Sequence, residues 1–509
     1  MSFMKKNTLL LNYKTFDIFK KNFLFKSILL LIIVFLFRYE SFQDFLLNID
    51  EAEWLYCVKR CVSNSIPFLG FDSHTTGPLS IYLLTPLYFL NTELSVVGLR
   101  LYGLLFMLLF SFLVFNLLAK KQKMEYALVF TTFLLIRDKD FFAFNTEWML
   151  IPFLFLLVFL SKMRFDSSKK LLLFLLALMN VLLPLIKFQS ILIVFFITLF
   201  LIIQFYKKKD FLSLKWYLLF NSLIVIFSLI VIEFSIGLKD FYYYYIQRNV
   251  AYASSFATKS IKVVVIEYFY LLFKYFSYHL FFIGFLFFGL LYTKKNHFFQ
   301  LFKILRFDLF FTLVCLLTVF FPKNNFLHYY QFLFVPFTLL IVKLLFLVDS
   351  GRFKNVLFLF SFFLIPFNIR SVDQLYDKYI KGSSINELYY ERVNTDGIRS
   401  ILNAIPTNRS VFVLGWHKAL PLYYYLRNSN SFSNPSGHTT FLLDLRENKL
   451  IYKKEKKNVM GVINLSDVVV DAQNVLVQLR DKDIDALLKQ DFNLVKDTPT
   501  SKVFKRKSS

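Results

Sequence analysis

The sequence is poor in cysteine and in charged residues. Its only cysteines, Cys57, Cys61 and Cys315, provide no disulfide framework, and no cysteine and histidine cluster has zinc-ligand spacing. Charged residues make up 18% of the chain, against roughly 25% in a soluble domain. Acidic residues are scarcer than basic ones, with 34 Asp and Glu against 59 Lys and Arg. These shortages exclude a soluble globular enzyme and a disordered protein that binds polyanions.

Hydrophobic residues take the place of the missing charge. They make up 57% of the 509 residues, 69 of which are Phe, and the mean hydropathy is +0.54. Apolar stretches long enough to cross a bilayer of about 30 Å at about 1.5 Å per residue recur along the first 370 residues. The composition therefore predicts a polytopic membrane protein. In a membrane protein, the basic residues behind the net charge of +25 serve mainly to set the orientation in the bilayer. We therefore expect no nucleic-acid partner.

About eleven transmembrane helices are predicted in an all-α membrane domain over residues 1–370, which includes a long outer loop over 39–94. The stretch Leu79–Leu90 is interpreted as an interfacial helix because Pro78 and Pro86 bracket it. The predicted spans are 23–38, 95–119, 124–137, 147–161, 170–186, 188–206, 214–235, 262–292, 307–321, 326–348 and 354–370.

The distribution of Lys and Arg predicts the orientation in the membrane. One alternate set of loops carries most of the basic residues, which favours a cytoplasmic N-terminus and, after an odd number of spans, an external C-terminal domain. The first apolar segment is followed by Arg38, Tyr39 and Glu40 without a small-residue cleavage site, so we interpret it as a span and not as a signal peptide. The predicted location is the cytoplasmic (inner) membrane.

The composition changes at about Ser371, where polar and apolar residues begin to alternate and turn signals appear. Residues 371–509 are therefore predicted to form an extracytoplasmic α/β domain. No internal repeat is visible, and nothing suggests the inverted halves of many transporters. The predicted strands are 410–415, 461–465 and 474–478, and the predicted helices are 395–404, 418–427 and 483–490.

The first outer loop carries three carboxylates within four residues, Asp50, Glu51 and Glu53, at the start of a helical pattern. Acidic residues in a first helical turn interact favourably with the helix dipole, which is one explanation of the cluster. A carboxylate just outside the bilayer is also suited to act as a general base or to hold a divalent metal. The cluster alone does not decide between these explanations.

Further polar residues lie at predicted loops and span ends on the same side. Each has a structural alternative: Glu147 as a helix start, Lys187 as a headgroup anchor, Arg100 as half of an ion pair and His328 as a packed histidine. The run 241–245, Phe-Tyr-Tyr-Tyr-Tyr, is interpreted as an aromatic belt at the interface. In chain order the set is His74 before Gly77-Pro78-Leu79, Arg100, Asn145-Thr146-Glu147, Lys187, and His328-Tyr329-Tyr330.

In this order and at these positions, the set resembles the GT-C superfamily of integral-membrane glycosyltransferases. Within that superfamily, the sequence most resembles the protein O-mannosyltransferases and the lipid A aminoarabinose transferase. Bacterial members of this group are described as RgtA/B/C/D-like. The resemblance covers residues 20–370 and is strongest at Asp50-Glu51. It implies transfer of a sugar from a polyprenyl-phosphate donor to a glycan, lipid or protein acceptor at the outer membrane surface.

The resemblance also implies roles for the residues. Asp50, with Glu51 beside it, is the expected catalytic base, and a divalent metal ion at Glu147 is one source of charge for the leaving phosphate. The expected phosphate-binding residues are Lys187, Arg100, His328 and Tyr330, and the residues expected at the acceptor or a metal are Glu147, Glu53 and His74.

Two other functions compete with this one. A lipid-linked glycan polymerase or ligase uses similar donors, but a large outer loop late in the chain with arginines is expected there, whereas here the large loop is the first and is acidic. A transporter or flippase accounts for the spans and the intramembrane charges. It does not account for an acidic first loop or an exported α/β domain.

Overall fold

The structure is a computed structural model that is mostly helical, with a small sheet near the C-terminus. The described residues are 21–42, 48, 50–68, 70–71, 76–90, 95–118, 122–136, 138–163, 170–255, 260–293, 298–323, 326–347, 401, 403–405, 409–414, 422, 449–472, 475–498 and 501–507.

Sixteen helices precede the sheet in the described residues. A 3-10 turn covers Tyr39–Phe42, a second covers Leu327–Leu333, and a π-helical segment covers Tyr242–Gln247. The helices are α1 Lys21–Phe37, α2 Asp50–Ser63, α3 Pro78–Leu84, α4 Pro86–Leu90, α5 Val96–Leu118, α6 Lys123–Leu134, α7 Lys139–Phe142, α8 Glu147–Lys162, α9 Lys170–Ile186, α10 Ser190–Lys207, α11 Phe211–Ser235, α12 Leu238–Phe241, α13 Arg248–Ser255, α14 Ile261–Thr293, α15 Phe298–Phe320 and α16 Phe334–Leu347.

Proline and acidic caps explain several helix boundaries. Pro78 and Pro86 begin α3 and α4, where a missing amide hydrogen leaves no bond unmade and the ring presets the backbone. The interfacial stretch is therefore two short helices with a break at Thr85. Asp210 caps α11, since its side chain accepts a hydrogen bond of 3.1 Å from the Ser213 amide.

The membrane part consists of buried central helices surrounded by helices with exposed apolar faces. Most of α8 and α16 is buried, whereas α11 leaves most of its Leu, Ile and Phe side chains exposed. Five described segments are long and apolar enough to cross a membrane: Val96–Leu118, Ser190–Lys207, Phe211–Ser235, Ile261–Leu291 and Leu327–Leu347. The chain is thus a multi-pass membrane protein. The number of about eleven spans stays a prediction, and the predicted span 354–370 lies outside the described residues.

A buried charge cluster joins three helices at the end of α8 that lies opposite Glu147. The fully buried Asp308 of α15 pairs with Lys162 at the end of α8 and with Lys343 of α16, whose Nζ lies 2.6 Å from Asp308 Oδ2. A buried carboxylate requires such partners because desolvation is costly. The cluster therefore fixes α8, α15 and α16 relative to one another.

The C-terminal sheet has the order β1-β2-β4-β3, with β1 Val411–Leu414, β2 Val468–Asp471, β3 Phe492–Thr498 and β4 Ser501–Arg506. Strands β1 and β2 are parallel, with Val413 opposite Val470, and the other two pairs are antiparallel. Three helices accompany the sheet: α17 Lys449–Leu465, α18 Val475–Leu479 and α19 Lys482–Asp491. The predicted strand 410–415 and helix 483–490 are confirmed.

Two of the predicted strands are wrong. Residues 461–465 continue α17, because Tyr452, Val459 and Ile463 recur at helical spacing and pack on the sheet. Residues 474–478 fall largely in α18, where Leu476 and Leu479, three apart, are buried. In both segments the β-branched residues indicated a strand, but the spacing of the buried positions is that of a helix. All of the predicted helix 418–427 except Leu422, and most of 395–404, lie outside the described residues.

Candidate active site

Asp50 is the first residue of α2 and is half-buried. Its amide donates a 3.0 Å hydrogen bond to Asn48 Oδ1, which fixes the start of the helix. Burial raises the pKa of the Asp50 carboxyl to about 6; Lys187 opposes this shift, while Glu147 and Glu51 add to it. A carboxyl with this pKa is ionised in most molecules at neutral pH and still basic enough to accept a proton.

Glu147 and Lys187 form a buried ion pair near Asp50. The Nζ of Lys187 lies 2.9 Å from Glu147 Oε1, and it donates a 3.3 Å hydrogen bond to Thr146 Oγ1. Burial alone would lower the pKa of Lys187, but the Glu147 carboxylate raises it above the usual value, with Asp50 adding to the effect. Lys187 therefore stays cationic, and its charge is shared between two carboxylates that interact with it.

The backbone around Gly77 holds the turn that carries Lys187. Thr76 and Lys187 form an antiparallel bridge, and the Gly77 amide donates a 3.0 Å hydrogen bond to the carbonyl of Ile186. A Cβ atom at Gly77 would lie 1.8 Å from the Leu185 carbonyl oxygen, so no other residue fits without moving the backbone. The Gly77-Pro78-Leu79 element thus joins the first outer loop to the turn between α9 and α10.

Arg100 and Glu51 form a second buried ion pair. Nε and Nη2 of Arg100 donate to the two carboxylate oxygens of Glu51, and neither side chain is exposed. Glu51 Oε1 also accepts 2.8 Å from the Phe144 amide, and Arg100 Nη1 donates 3.3 Å to the Ser41 carbonyl. This arrangement joins α2, α5 and the loop before α8, at the residue that follows Asp50.

His328 and Tyr330 face different surroundings. His328 is half-buried, lies edge-on to the ring of Tyr329 at 4.6 Å, and is close enough to Glu147 and Lys187 to interact electrostatically. Lys187 Nζ in turn lies 5.2 Å from the centre of the Tyr329 ring, a cation–π contact. Tyr330 is buried, and its hydroxyl donates 3.1 Å to the Tyr268 carbonyl.

The structure thus brings Asp50, Glu147, Lys187 and His328 into one cluster and pairs Arg100 with Glu51. Glu53 is buried on α2, one turn after Asp50. His74 lies outside the described residues. Thr146 and Tyr329 contact Lys187 directly, yet neither was predicted as a site residue. Their proximity to Glu147 and His328 in the sequence was the one available signal.

The described residues do not fit a protein-held divalent metal. Within them, no three His, Cys, Asp or Glu side chains converge on a position that could hold a metal ion. Glu147, the expected ligand, already has the Lys187 ammonium at ion-pair distance.

What the cluster can do chemically follows from its charges. It combines a half-buried carboxyl that can take a proton, a buried ammonium that can stabilise an anion, and a histidine and two threonine hydroxyls beside them. A fixed cation in a water-poor site stabilises developing negative charge far better than it would in water. The set suits nucleophilic displacement in which an anion leaves.

Comparison with known proteins gives a match in structure but not in sequence. No protein-family model matches the chain, and neither does any curated protein. The fold is similar to that of ArnT from Cupriavidus metallidurans, whose crystal structure contains bound undecaprenyl phosphate. The TM-score is 0.55 at 10% sequence identity, and the match covers 94% of this chain and 97% of ArnT. The chain therefore has the fold of ArnT.

Proposed function

We propose that the protein is an inverting glycosyltransferase that moves a sugar from a polyprenyl-phosphate donor to an acceptor at the outer face of the cytoplasmic membrane. The observation that carries this proposal is the cluster of Asp50 with the buried Glu147–Lys187 pair, in a fold shared with a protein crystallised with undecaprenyl phosphate. A lipid-linked donor keeps its phosphate at the membrane surface, where loop residues reach it.

Asp50 acts as the general base in this proposal. Its carboxylate takes the proton of the acceptor hydroxyl while that oxygen bonds to the anomeric carbon. The bond from the anomeric carbon to the phosphate oxygen breaks, and its electron pair leaves with the polyprenyl phosphate. Attack opposite the leaving group inverts the configuration at that carbon.

Lys187 stabilises the phosphate that leaves. It is cationic, buried and held by the Thr146 hydroxyl, so no solvent has to reorganise as the negative charge develops. Glu147 orients the ammonium, and His328 adds a polar contact at the rim. Glu53 and His74 remain proposed acceptor contacts, and Tyr330 a proposed contact to the donor.

Arg100 and Glu51 have an indirect role in this scheme. Their bidentate pair engages both oxygens of Glu51, so we assign them to positioning Asp50 and not to direct chemistry. In the proposed orientation, with the N-terminus inside and the C-terminal domain outside, the site lies at the outer surface. A glycolipid, a polysaccharide or a protein can each supply the acceptor hydroxyl.

Asp50→Asn tests the proposal. Glycans of cells lacking the protein are compared by mass spectrometry after complementation with wild type or with the variant. The variant should lose activity by about 10²–10⁴-fold, the usual contribution of a general base. Glu233→Gln, a substitution of a carboxylate at the end of α11 that serves as matched control, should complement fully.

A separate stability measurement checks that the Asp50→Asn variant is folded. Burial disfavours the ionised Asp50 carboxylate, so Asp50→Asn should be at least as heat-stable as wild type at neutral pH. Full complementation by Asp50→Asn would refute the assigned base. An unchanged glycan profile in cells lacking the protein, together with solute transport by the purified protein, would favour a transporter.

A further inference from the structure

We propose that the C-terminal domain holds the Lys187 turn in place through three consecutive tyrosines of the π-helical segment Tyr242–Gln247. This inference rests on the proposed function for the meaning of Lys187, but the contacts themselves stand independently of it. Tyr243, Tyr244 and Tyr245 each contact a different part of the chain, and together they form a continuous path from α17 to the site.

The first contact joins α17 to Tyr243. The Nζ of Lys454 lies 3.4 Å from the centre of the Tyr243 ring and 3.4 Å from Asp240 Oδ1. Tyr243 is only 5% exposed, so its ring is enclosed by protein. A cation over a buried tyrosine ring is attracted to the face of that ring more strongly than one at an open surface.

The second contact joins α17 and the π-helical segment to the first outer loop. Asn458, one turn after Lys454 on α17, donates a 3.2 Å hydrogen bond to the Tyr244 hydroxyl. The Tyr244 ring stacks on Phe68, with centres 5.7 Å apart and planes 9° apart. Tyr244 therefore lies between the C-terminal domain and the loop that also carries Gly77.

The third contact reaches the Lys187 turn. The Tyr245 hydroxyl donates to the carbonyl of Pro184 in the last turn of α9, and its ring lies edge-on to Phe188 at 5.6 Å. Pro184 and Phe188 flank Lys187, and Tyr245 is 2% exposed. The Tyr245 hydroxyl also lies beside Gly77, since a Cβ at Gly77 would be 2.8 Å from it. A displaced Tyr245 would thus loosen the turn where Gly77 contacts it.

These contacts change the interpretation of the aromatic run. The sequence predicted an interfacial belt, but Tyr243 and Tyr245 are buried against protein, while Tyr242 is 53% exposed. A π-helical segment is rare and short, and it often marks a functional position. Here it directs neighbouring tyrosines to the C-terminal domain, the first outer loop and the α9–α10 turn.

The test uses the full-length protein in lipid nanodiscs and two variants that remove the α17 contacts. Lys454→Met keeps the apolar stem and removes the charge; a second variant adds Asn458→Ala. Hydrogen–deuterium exchange should increase in peptides covering 240–255 and also in peptides covering 184–190. Lys454→Arg, which keeps a cation over the Tyr243 ring, should show the same exchange as the wild-type protein. Lys457→Ala, an exposed lysine on the same helix, is the matched control and should change neither region.

Binding of undecaprenyl phosphate to the same proteins is the functional readout. Lys454→Met should bind about fivefold more weakly than wild type, at the lower end of typical coupling between linked sites. Unchanged exchange at 184–190 in both variants, or equal effects of Lys457→Ala, would overturn the proposal. Absence of undecaprenyl phosphate binding by the wild type would count against the proposed function, and the exchange result would still decide whether the tyrosines connect α17 to the turn.

Discussion

Lys187 and Glu147 form an ion pair at 2.9 Å with 3% and 1% of their side chains exposed. They come from different helix ends, the α9–α10 turn and the start of α8, so folding brings them together. A buried pair of this kind adds little net stability, but loss of one partner leaves an uncompensated charge. The pair therefore fixes the position of a cation rather than strengthening the fold.

Lys187→Met should destabilise the protein by about 3–5 kcal/mol, because Glu147 is left buried without its cation. Adding Glu147→Leu should restore most of the lost stability and none of the transfer activity. Thermal unfolding in detergent and a transfer assay measure the two properties. Lys208→Met, a change at an exposed lysine after α10, serves as control. Transfer by the double variant would show that Lys187 is dispensable for the reaction.

The pH dependence of the reaction should report Asp50. Its pKa is raised from 3.8 to about 6, and only the ionised form accepts a proton, so kcat/KM should rise through about pH 6 to a plateau. Activity is lost as the pH falls below that value, because Asp50 becomes protonated. Initial rates between about pH 4 and pH 8 in mixed buffers, which span about two units on either side of the pKa, provide the measurement. The residual activity of Asp50→Asn should not fall below about pH 6 in this way. If the fall in kcat/KM persisted in the variant, Asp50 could not be its cause.

Gly77→Ala should displace the Lys187 turn, since the new Cβ would lie 1.8 Å from the Leu185 carbonyl oxygen. A shift of about 1 Å in a catalytic group can cost about 10²-fold in rate, and a loss of that order is expected. Gly284→Ala in α14 is the matched control, because nothing lies within 4 Å of its new methyl group. Equal activity of both variants would mean that the approach of Gly77 to α9 does not set the geometry of the site.

Arg100→Lys separates two roles for Arg100. If Arg100 positions Asp50 through Glu51, loss of the bidentate pair should lower kcat and reduce stability by about 1.5–3 kcal/mol. If it instead binds the donor phosphate, KM for the donor should rise at unchanged stability. Steady-state kinetics and thermal unfolding of the same preparation distinguish these outcomes. We expect the first, because both Glu51 oxygens accept from the guanidinium.

Sequence reasoning located the polar residues of the site but not their pairing. Asp50, Glu147, Lys187 and His328 were selected from loop positions and from a family resemblance, and they lie together. That Glu51 pairs with Arg100, 49 residues away, depends on how α2 and α5 pack. Helix packing depends on side-chain shape at many positions and is not encoded in spacing.

The errors have a similar origin. Residues 461–465 and 474–478 are rich in β-branched residues, but packing against the sheet selects helices there. The tyrosines after α12 were expected at the membrane interface because aromatic rings favour that position. Instead, α17, more than 200 residues later in the chain, contacts Tyr243 and Tyr244, and Tyr245 packs against Phe188 of the α9–α10 turn.

The cluster of Asp308 with Lys162 and Lys343 has a consequence for how the protein is made. Lys162 is synthesised 146 residues before Asp308, which corresponds to about 7–30 s of translation at 5–20 residues per second. For that interval α8 has been synthesised without the carboxylate that later pairs with its last turn. The contact of α8 with α15 and α16 through Asp308 can therefore form only after α15 has been synthesised. Loss of Asp308 should reduce the yield of assembled protein more than the turnover of each assembled molecule.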